Sequence, residues 1–467
     1  MRTSDDFVLG VLMSEIDTLT FKGYEYIERS ASLRAREADV IARIEQQDTE
    51  LKRLPSQVRS NMGQGGALGA QVSQMQSLLA ERVVYDDIEH RLQARFREIV
   101  ENPDAMRALK TADLRSNAAR ETLRRAIRPG TLARKRLQLL NAITHVETNI
   151  QGEARRSIRE YLYGILTTFG ANPRGLLNSL EFNYMVMGPP GTGKSHMVKE
   201  MASFFYSIGL LVRDRLFTIN KSDLVAGYLG QSAGKTRATI YAALEGVLFL
   251  DEAYSLLSCE YSDEKREHVR KRDEFGTEAV DQMVDMLSDL KGLIVFVVAG
   301  YPNEMTNCFM GSNAGLARRF VNKWNLQRFS REDLLDILQQ QLRTIDSSNR
   351  FWFRTARVMF PKPADIQQTA RDVAPILFAL DGMNLLTAQA GDIEVVAHDL
   401  YNLMAQNEAN GQEVTMDMVV GMFNHFLRGS KGFKVARVTS IDTAGRVHSL
   451  DDQGRVHVDG ISVLADA

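Results

Sequence analysis

The 467-residue sequence predicts an α/β core, a parallel sheet covered by helices on both faces. An all-α region precedes it, and a helical segment ending in a small β element follows. Three observations carry this fold class. The apolar runs "FNYMVMG", "RLFTIN", "GVLFLDEA" and "LIVFVVAG" alternate with amphipathic stretches, as strands buried on both faces alternate with their crossover helices. The first of these runs enters "GPPGTGKS", a glycine-rich turn that opens a helix. The first 136 residues are rich in Glu, Arg, Ala, Gln and Leu, with prolines only at 55, 103 and 129, which favours helix. The expected domains are a helical, partly coiled-coil-like one over 1–137, the α/β core over 138–329, a helical segment over 330–428 and a β-rich tail over 429–467.

Within the N-terminal region, Ile27, Ala31, Ala38, Ile41, Ile44 and Leu51 fall at three-and-four spacing on a helix that stops at Pro55. "NMGQGGALGA" (61–70) reads as a break, because glycine carries a large backbone entropy cost in a helix. Met75, Leu78, Leu79, Leu92, Phe96 and Ile99 mark a second amphipathic helix, antiparallel to the first. Residues 106–136 are strongly basic: Arg107, Lys110, Arg115, Arg120, Arg124, Arg125, Arg128, Arg134, Lys135 and Arg136 face only Asp113 and Glu121. A solvated face paired with acidic neighbours in an oligomer is favoured over nucleic-acid binding, since no aromatic interleaving accompanies the charge. In the core, "VETNIQGEARRSIREYLYGIL" (146–166) is read as one helix. The tail alternates apolar and polar residues around "TAG" and "DDQG" turns, so two or three strands are expected.

Composition is that of a globular protein, 44% hydrophobic and 25% charged with a formal net charge of −2, and points globally to neither nucleic acid nor membrane. No run approaches the roughly 18 apolar residues of a spanning helix, so a soluble, cytoplasmic protein without membrane insertion is expected. Cys259 and Cys308 read as thiols in a reducing compartment.

Gly188, Pro189, Pro190, Gly191, Thr192, Gly193, Lys194 and Ser195 meet the P-loop pattern, after a strand and opening a helix. Glycines let successive N–H groups turn inward around phosphates, and the helix N-terminus adds positive potential. Lys194 is expected to reach the β and γ phosphates of ATP, Ser195 to hold Mg²⁺, and His196 to adjoin the nucleotide. In "GVLFLDEAYSL" a buried strand delivers Asp251 and Glu252 at its carboxyl end. Asp251 is placed to bind the metal through water, and Glu252 to polarise an attacking water as general base; the alternative for such a pair is a helix N-cap.

The order "NKSDLVAGYLGQSAGKT", "GVLFLDEAYSL", "FGTEAVDQMVDML", "VFVVAGYPNEM" and "NAGLARRF" resembles the CbbX-type (CbxX/CfqX) AAA+ ATPases, a group that includes red-type Rubisco activases and ATPases of type VII secretion. The likeness covers roughly residues 138–330. It implies an α/β P-loop AAA+ core with an α-helical lid, in a homo-oligomer, a hexameric ring, that pulls on a protein client. By this resemblance "GYLG" is the pore loop, with Tyr228 and Leu229 gripping the client; a tyrosine packed under a loop is the alternative. In "GLARRF" the resemblance makes Arg319 the finger that reaches a neighbour's γ-phosphate, with Arg318 the adjacent alternative and surface pairing the ordinary role of one of the two.

Three positions depart from the pattern. Tyr301 ends the "VFVVAGY" strand where many AAA+ proteins place a polar sensor, and offers only a phenol to orient water. "GDIE" (391–394) puts Glu394 where the lid's sensor arginine is expected, which implies slow hydrolysis or a different reading of nucleotide. "SCEYSDEKREHVRKRDE" (258–274) reads as a long charged loop, either a second pore loop or a segment disordered until a client arrives.

The expected function is Mg²⁺-ATP-driven remodelling of a protein client, with the helical N-terminal domain selecting the partner. Rubisco activation is not favoured, because about 140 residues of helical extension lie outside its motifs. A secretion role is strained by the lack of a visible helical repeat array before the core. Two rivals stand beside it: a nucleotide-gated scaffold whose turnover is incidental, and nucleic-acid remodelling through residues 106–136.

Overall fold

The computed structural model describes residues 4–53, 67–102, 117–150, 152, 155–173, 176–177, 182–227, 231–262, 267–270, 273–352, 363–382, 386, 388–410, 412, 414–431, 437–441, 447–450 and 456–458. Two compact units make up the chain. Met1–Gln151, Arg155–Met187 and Lys194–Asn325 form the first; Gly152–Ala154, Gly188–Gly193 and Leu326–Ala467 form the second.

The first unit begins with helix α1 (Asp5–Arg53), whose first turn carries Asp5 and Asp6, where carboxylates complement the helix dipole. The Ser4 hydroxyl accepts from the Phe7 N–H at 3.3 Å. Helix α2 (Ala67–Ile99) runs antiparallel to α1, as expected: Ser30 donates to Glu89, Arg36 to Glu81, and Arg95 to Glu15. It starts inside the stretch read as a glycine break, with 67–70 already helical, and the rest of that break lies outside the described residues. Three further helices follow: α3 (Asn117–Ala126), α4 (Thr131–Asn149) and α5 (Arg156–Ala171). The single helix expected over 146–166 is therefore two, and Gly152, at φ 93° in the left-handed region, lies in the break between them.

Part of the basic stretch lies outside the described residues. Beyond it, Arg124 pairs with Asp6 at 3.1 Å, Arg136 with Asp5, and Lys135 with Glu15 at 2.6 Å. For these three residues the acidic partner comes from the same chain. Leu9, Leu12 and Leu19 of α1 and Ile88 and Leu92 of α2 are buried in one cluster with Leu248, Leu250 and Phe296. Each such side chain contributes about 1.5–3 kcal/mol by leaving water.

In chain order the α/β part comprises β1 (Asn183–Met187), α6 (Lys194–Ile208), β2 (Leu216–Ile219), α7 (Lys221–Leu224), α8 (Ser232–Ala242) and β3 (Val247–Leu250). There follow β4 (Cys259–Ser262), β5 (Glu267–Arg270), α9 (Glu274–Asp289), β6 (Val295–Gly300), α10 (Ala314–Arg319) and β7 (Asn322–Asn325). The sheet is parallel, ordered β2-β3-β6-β1-β7. Strands β3 and β6 are buried along their whole length, which is why they read as continuous apolar runs. The polar β7, "NKWN", was not anticipated.

The segment after the acidic pair and its cysteine differ from the loop and the free thiol expected. Its described parts form an antiparallel hairpin, β4 against β5, with Cys259 opposite Arg270. Cys259 and Cys308 are joined in a disulfide rather than free, tying β4 to the helical turn Met305–Phe309.

The second unit holds α11 (Arg331–Trp352), α12 (Pro363–Gly382), α13 (Gln389–Ala409) and α14 (Met416–Lys431), packed around Leu334, Leu338, Leu377, Val396, Leu400 and Phe423. The tail forms a three-stranded antiparallel sheet of β8 (Arg437–Ile441), β9 (Val447–Leu450) and β10 (Val456–Val458). Among the described residues no helix is long and apolar enough to cross a membrane.

Candidate active site

The glycine-rich turn, Gly188–Gly193, belongs to the second unit. Gly191 and Gly193 hold φ of 70° and 78°, which a residue with a Cβ adopts only at a cost. A Cβ on Gly191 would also collide with the Ala388 carbonyl. The Ala390 N–H donates to the Gly191 carbonyl at 3.1 Å, so the start of α13 rests on the turn. Thr192 is buried, its hydroxyl donating to the Pro189 carbonyl at 2.9 Å. Behind this contact Gln389 is fully buried: its Oε1 accepts from the Phe329 N–H at 3.0 Å and its Nε2 donates to Asp381 at 3.1 Å. Sequence reasoning missed Gln389, and no motif marks it. Glu394, on the next turn of α13, is exposed.

In the first unit, Lys194 and Ser195 open α6 beside the end of β3. Ser195 Oγ donates to Asp251 Oδ2 at 3.2 Å. A hydroxyl and a carboxylate side by side are the hard oxygen donors that Mg²⁺ prefers, so these residues fit that ion. Burial lowers the Lys194 ammonium below its usual pKa, against the opposing charges of Asp251 and Glu252. Its Nζ lies 5.3 Å from the Tyr301 ring centroid.

Glu252 is exposed and sits in the left-handed region at φ 47° and ψ 48°. Its N–H donates to Asp251 Oδ1 at 3.0 Å, and its carbonyl accepts from the Ser255 N–H at 2.7 Å. Such a backbone costs of order 1–3 kcal/mol for a residue with a side chain, and strain of this kind gathers at functional positions. Tyr254 and Tyr301 stack with centroids 5.8 Å apart. Both phenols are raised above their usual pKa by burial first and then by the charge of Glu252. Tyr254 was not anticipated, although "DEAYSL" puts an aromatic residue just after the acidic pair.

The structure thus gathers Lys194, Ser195, Asp251, Glu252 and Tyr301. His196 points elsewhere: it is half exposed, with Nε2 4.0 Å from Glu200 one turn along α6. Arg318 is exposed. Arg319 bonds outside this cluster, with Nε donating to Ser288 Oγ at 2.9 Å and Nη1 to the Gly315 carbonyl at 3.2 Å. Tyr228 and Leu229 lie outside the described residues.

A parallel five-stranded sheet with an acidic pair ending β3, and a glycine-rich sequence following β1, is the order of a P-loop nucleotide-binding fold. Residues 184–314 match the model of the ATPase family associated with various cellular activities (AAA). The chain is 27% identical over 257 residues to the ESX-3 secretion system protein EccA3 of Mycolicibacterium smegmatis, covering 53% of this chain and 40% of that protein. It is 36% identical over 184 residues to the ESX-1 secretion system protein EccA1 of Mycobacterium tuberculosis, covering 39% of this chain and 30% of that protein. The matched region therefore spans well under half the length of these curated relatives. The crystal structure of the FIGL-1 AAA domain in complex with ADP aligns with 59% of this chain and 88% of that one, at 19% identity and a TM-score of 0.30.

Proposed function

We propose that the protein is a Mg²⁺-ATP-hydrolysing AAA+ ATPase of the CbbX type, acting as a hexameric ring in the cytoplasm to remodel a protein client. The observation that supports this best is the adjacency of Ser195, Asp251, Lys194 and Glu252 at the carboxyl end of β3. In this reading the backbone of Gly188–Gly193 cradles phosphates while Lys194 neutralises the β and γ groups. Ser195 and Asp251 would hold the metal. ATP is the substrate whose phosphoanhydride bond would break, and a Mg²⁺ held at Ser195 and Asp251 would supply screening of the charge that develops. Glu252 takes the proton of the attacking water. Arg319, or Arg318 beside it, serves the neighbouring copy, and Tyr228 and Leu229 contact the client. The N-terminal helices select the partner, and similarity to secretion-system proteins makes a secreted polypeptide the first client class to try.

Turnover and nucleotide binding of the purified protein with Mg²⁺, wild type beside Glu252→Gln, test the reading. The wild type should hydrolyse ATP, and the variant should bind it while losing about 10²–10⁴ in rate. Tight binding by the wild type without turnover would overturn this in favour of a nucleotide-gated scaffold.

A further inference from the structure

The chain's only two cysteines tie together two segments that both lead into the cluster around Glu252. The helical turn Ala253–Leu256 starts directly after Glu252, and the chain continues through Ser258 to Cys259 at the head of β4. The turn Met305–Phe309 follows β6 and Tyr301, and it carries Cys308. The disulfide joins the far ends of these segments, with Cα atoms 6.2 Å apart across a sequence separation of 49.

Nearer the site the same two segments already meet. Tyr254 stacks on Tyr301, and the Met305 N–H donates to the Tyr301 carbonyl at 2.9 Å. A Cβ on Gly300 would lie 2.8 Å or less from side-chain atoms of both Met305 and Tyr254, so the contact is close. Glu252 holds a left-handed backbone at the start of the first segment, and a residue with a side chain keeps that conformation only where its surroundings enforce it. The disulfide is thus a restraint on the geometry of Glu252 and Tyr301, and one that chemistry can remove.

The two sulfurs differ in access: Cys308 is fully buried, whereas Cys259 is half-buried on the β4–β5 hairpin. A thiolate from solvent therefore reaches the bond at Cys259. In a reducing compartment, where the proposed function places the protein, a disulfide is usually transient and redox-sensing.

We propose that Cys259–Cys308 is a thiol–disulfide exchange site for a dithiol reductant, and that its reduction slows ATP turnover by releasing the Glu252 segment from the turn after β6. One thiolate of the dithiol attacks Cys259 Sγ, the S–S bond breaks, and the Cys308 sulfur leaves and takes a proton. The second thiol of the reductant then displaces Cys259, which is protonated in turn. The dithiol ends as a disulfide, and the protein has gained two electrons and two protons. An oxidised dithiol runs the exchange backwards. The control of turnover rests on the ATPase reading; the exchange itself does not.

The test takes the full chain, oxidised in air, and treats it with dithiothreitol or buffer alone under native conditions. Free thiols are trapped with maleimide in denaturant and located by mass, while turnover and binding of a fluorescent ATP analogue are measured before and after reoxidation. Neither cysteine should label before reduction and both should label after it. Turnover should fall about fivefold or more on reduction, the scale of one relaxed backbone strain, and return on reoxidation. Analogue affinity should stay unchanged, because Lys194 and Ser195 stand outside the two segments. Cys259→Ser, with circular dichroism to check its fold, should turn over at the reduced rate whether or not dithiothreitol is present, and Cys308→Ala should repeat it.

A bond that dithiothreitol leaves intact until the protein unfolds, or thiols that stay free after oxidation, overturns the exchange site. Exchange without a change in the turnover of an active wild type overturns the control of Glu252 and leaves the bond a staple. A wild type that binds ATP without turnover in either state overturns the ATPase reading and the control with it, while the thiol labelling still decides the exchange.

Discussion

Lys22 and Glu245 form an ion pair of 2.6 Å in which both side chains are completely buried. The ammonium also donates to the Leu210 carbonyl at 2.7 Å, and the Tyr26 hydroxyl donates to Glu245 at 3.3 Å. Glu245 occupies the turn before β3 at φ 60°, so α1 is fastened to the strand that ends in Asp251. Burial raises the Glu245 carboxyl, and the Lys22 charge opposes it. Replacing Lys22 by Met strands a buried carboxylate, and about 3–5 kcal/mol of stability should be lost. The double replacement Lys22→Met, Glu245→Gln should recover much of that, since no uncompensated charge is left. Urea unfolding of the two variants checks this; a single variant as stable as the wild type would show that the pair does not hold the helix.

A second buried group on α1 makes stability depend on pH. Burial raises the Glu15 carboxyl, but the charges of Lys135 and Arg95 and their hydrogen bonds outweigh it, and its pKa is lowered below the usual value. The unfolded chain therefore binds the proton more readily. The contribution of Glu15 is fully present above the usual carboxylate range and is lost as pH falls through the lowered value. Between about pH 5 and 3 the unfolding free energy should fall more steeply for the wild type than for Glu15→Gln. Parallel slopes for the two proteins would contradict the assignment.

Gly191 is predicted to be irreplaceable for a local reason. Alanine there must keep φ 70° and place its methyl against the Ala388 carbonyl. Gly391, three residues further on, has only the Ala388 Cβ nearby, at 3.8 Å. Gly191→Ala should lower the melting temperature and weaken binding of a fluorescent ATP analogue at least about tenfold, a loss of about 1.4 kcal/mol. Gly391→Ala should leave both near the wild-type values. Equal behaviour of the two variants would refute the contact as the cause.

What the sequence disclosed follows from locality. "GPPGTGKS" and the Asp251–Glu252 pair are legible because strand, turn and helix start lie within a few residues, and β3 and β6 are apolar throughout. Nothing in the sequence marks Lys22 or Glu15, because their partners Glu245 and Lys135 lie far along the chain. The cysteine pair, 49 residues apart, is hidden for the same reason. Strand β7 escaped because "NKWN" at a sheet edge alternates half-buried and exposed positions without an apolar run.

Tyr301 separates two physical roles for a phenol. The sequence suggests a hydroxyl that orients water, whereas the geometry turns the ring face toward Lys194, 5.3 Å from ammonium to centroid. Burial weakens the Lys194 charge, and a ring quadrupole restores about 0.5–1 kcal/mol of it, more where water is excluded. Tyr301→Phe keeps the ring and loses the hydroxyl; Tyr301→Leu loses both. ATP-analogue affinity should therefore hold within about twofold for Phe and fall about two- to fivefold for Leu. Because Lys194 has a lowered pKa and binds phosphate as the cation, affinity should also decline on the alkaline side, and earlier in pH for Leu than for the wild type. If Tyr301→Phe is as damaging as Tyr301→Leu, the hydroxyl matters and the ring contact does not account for the residue.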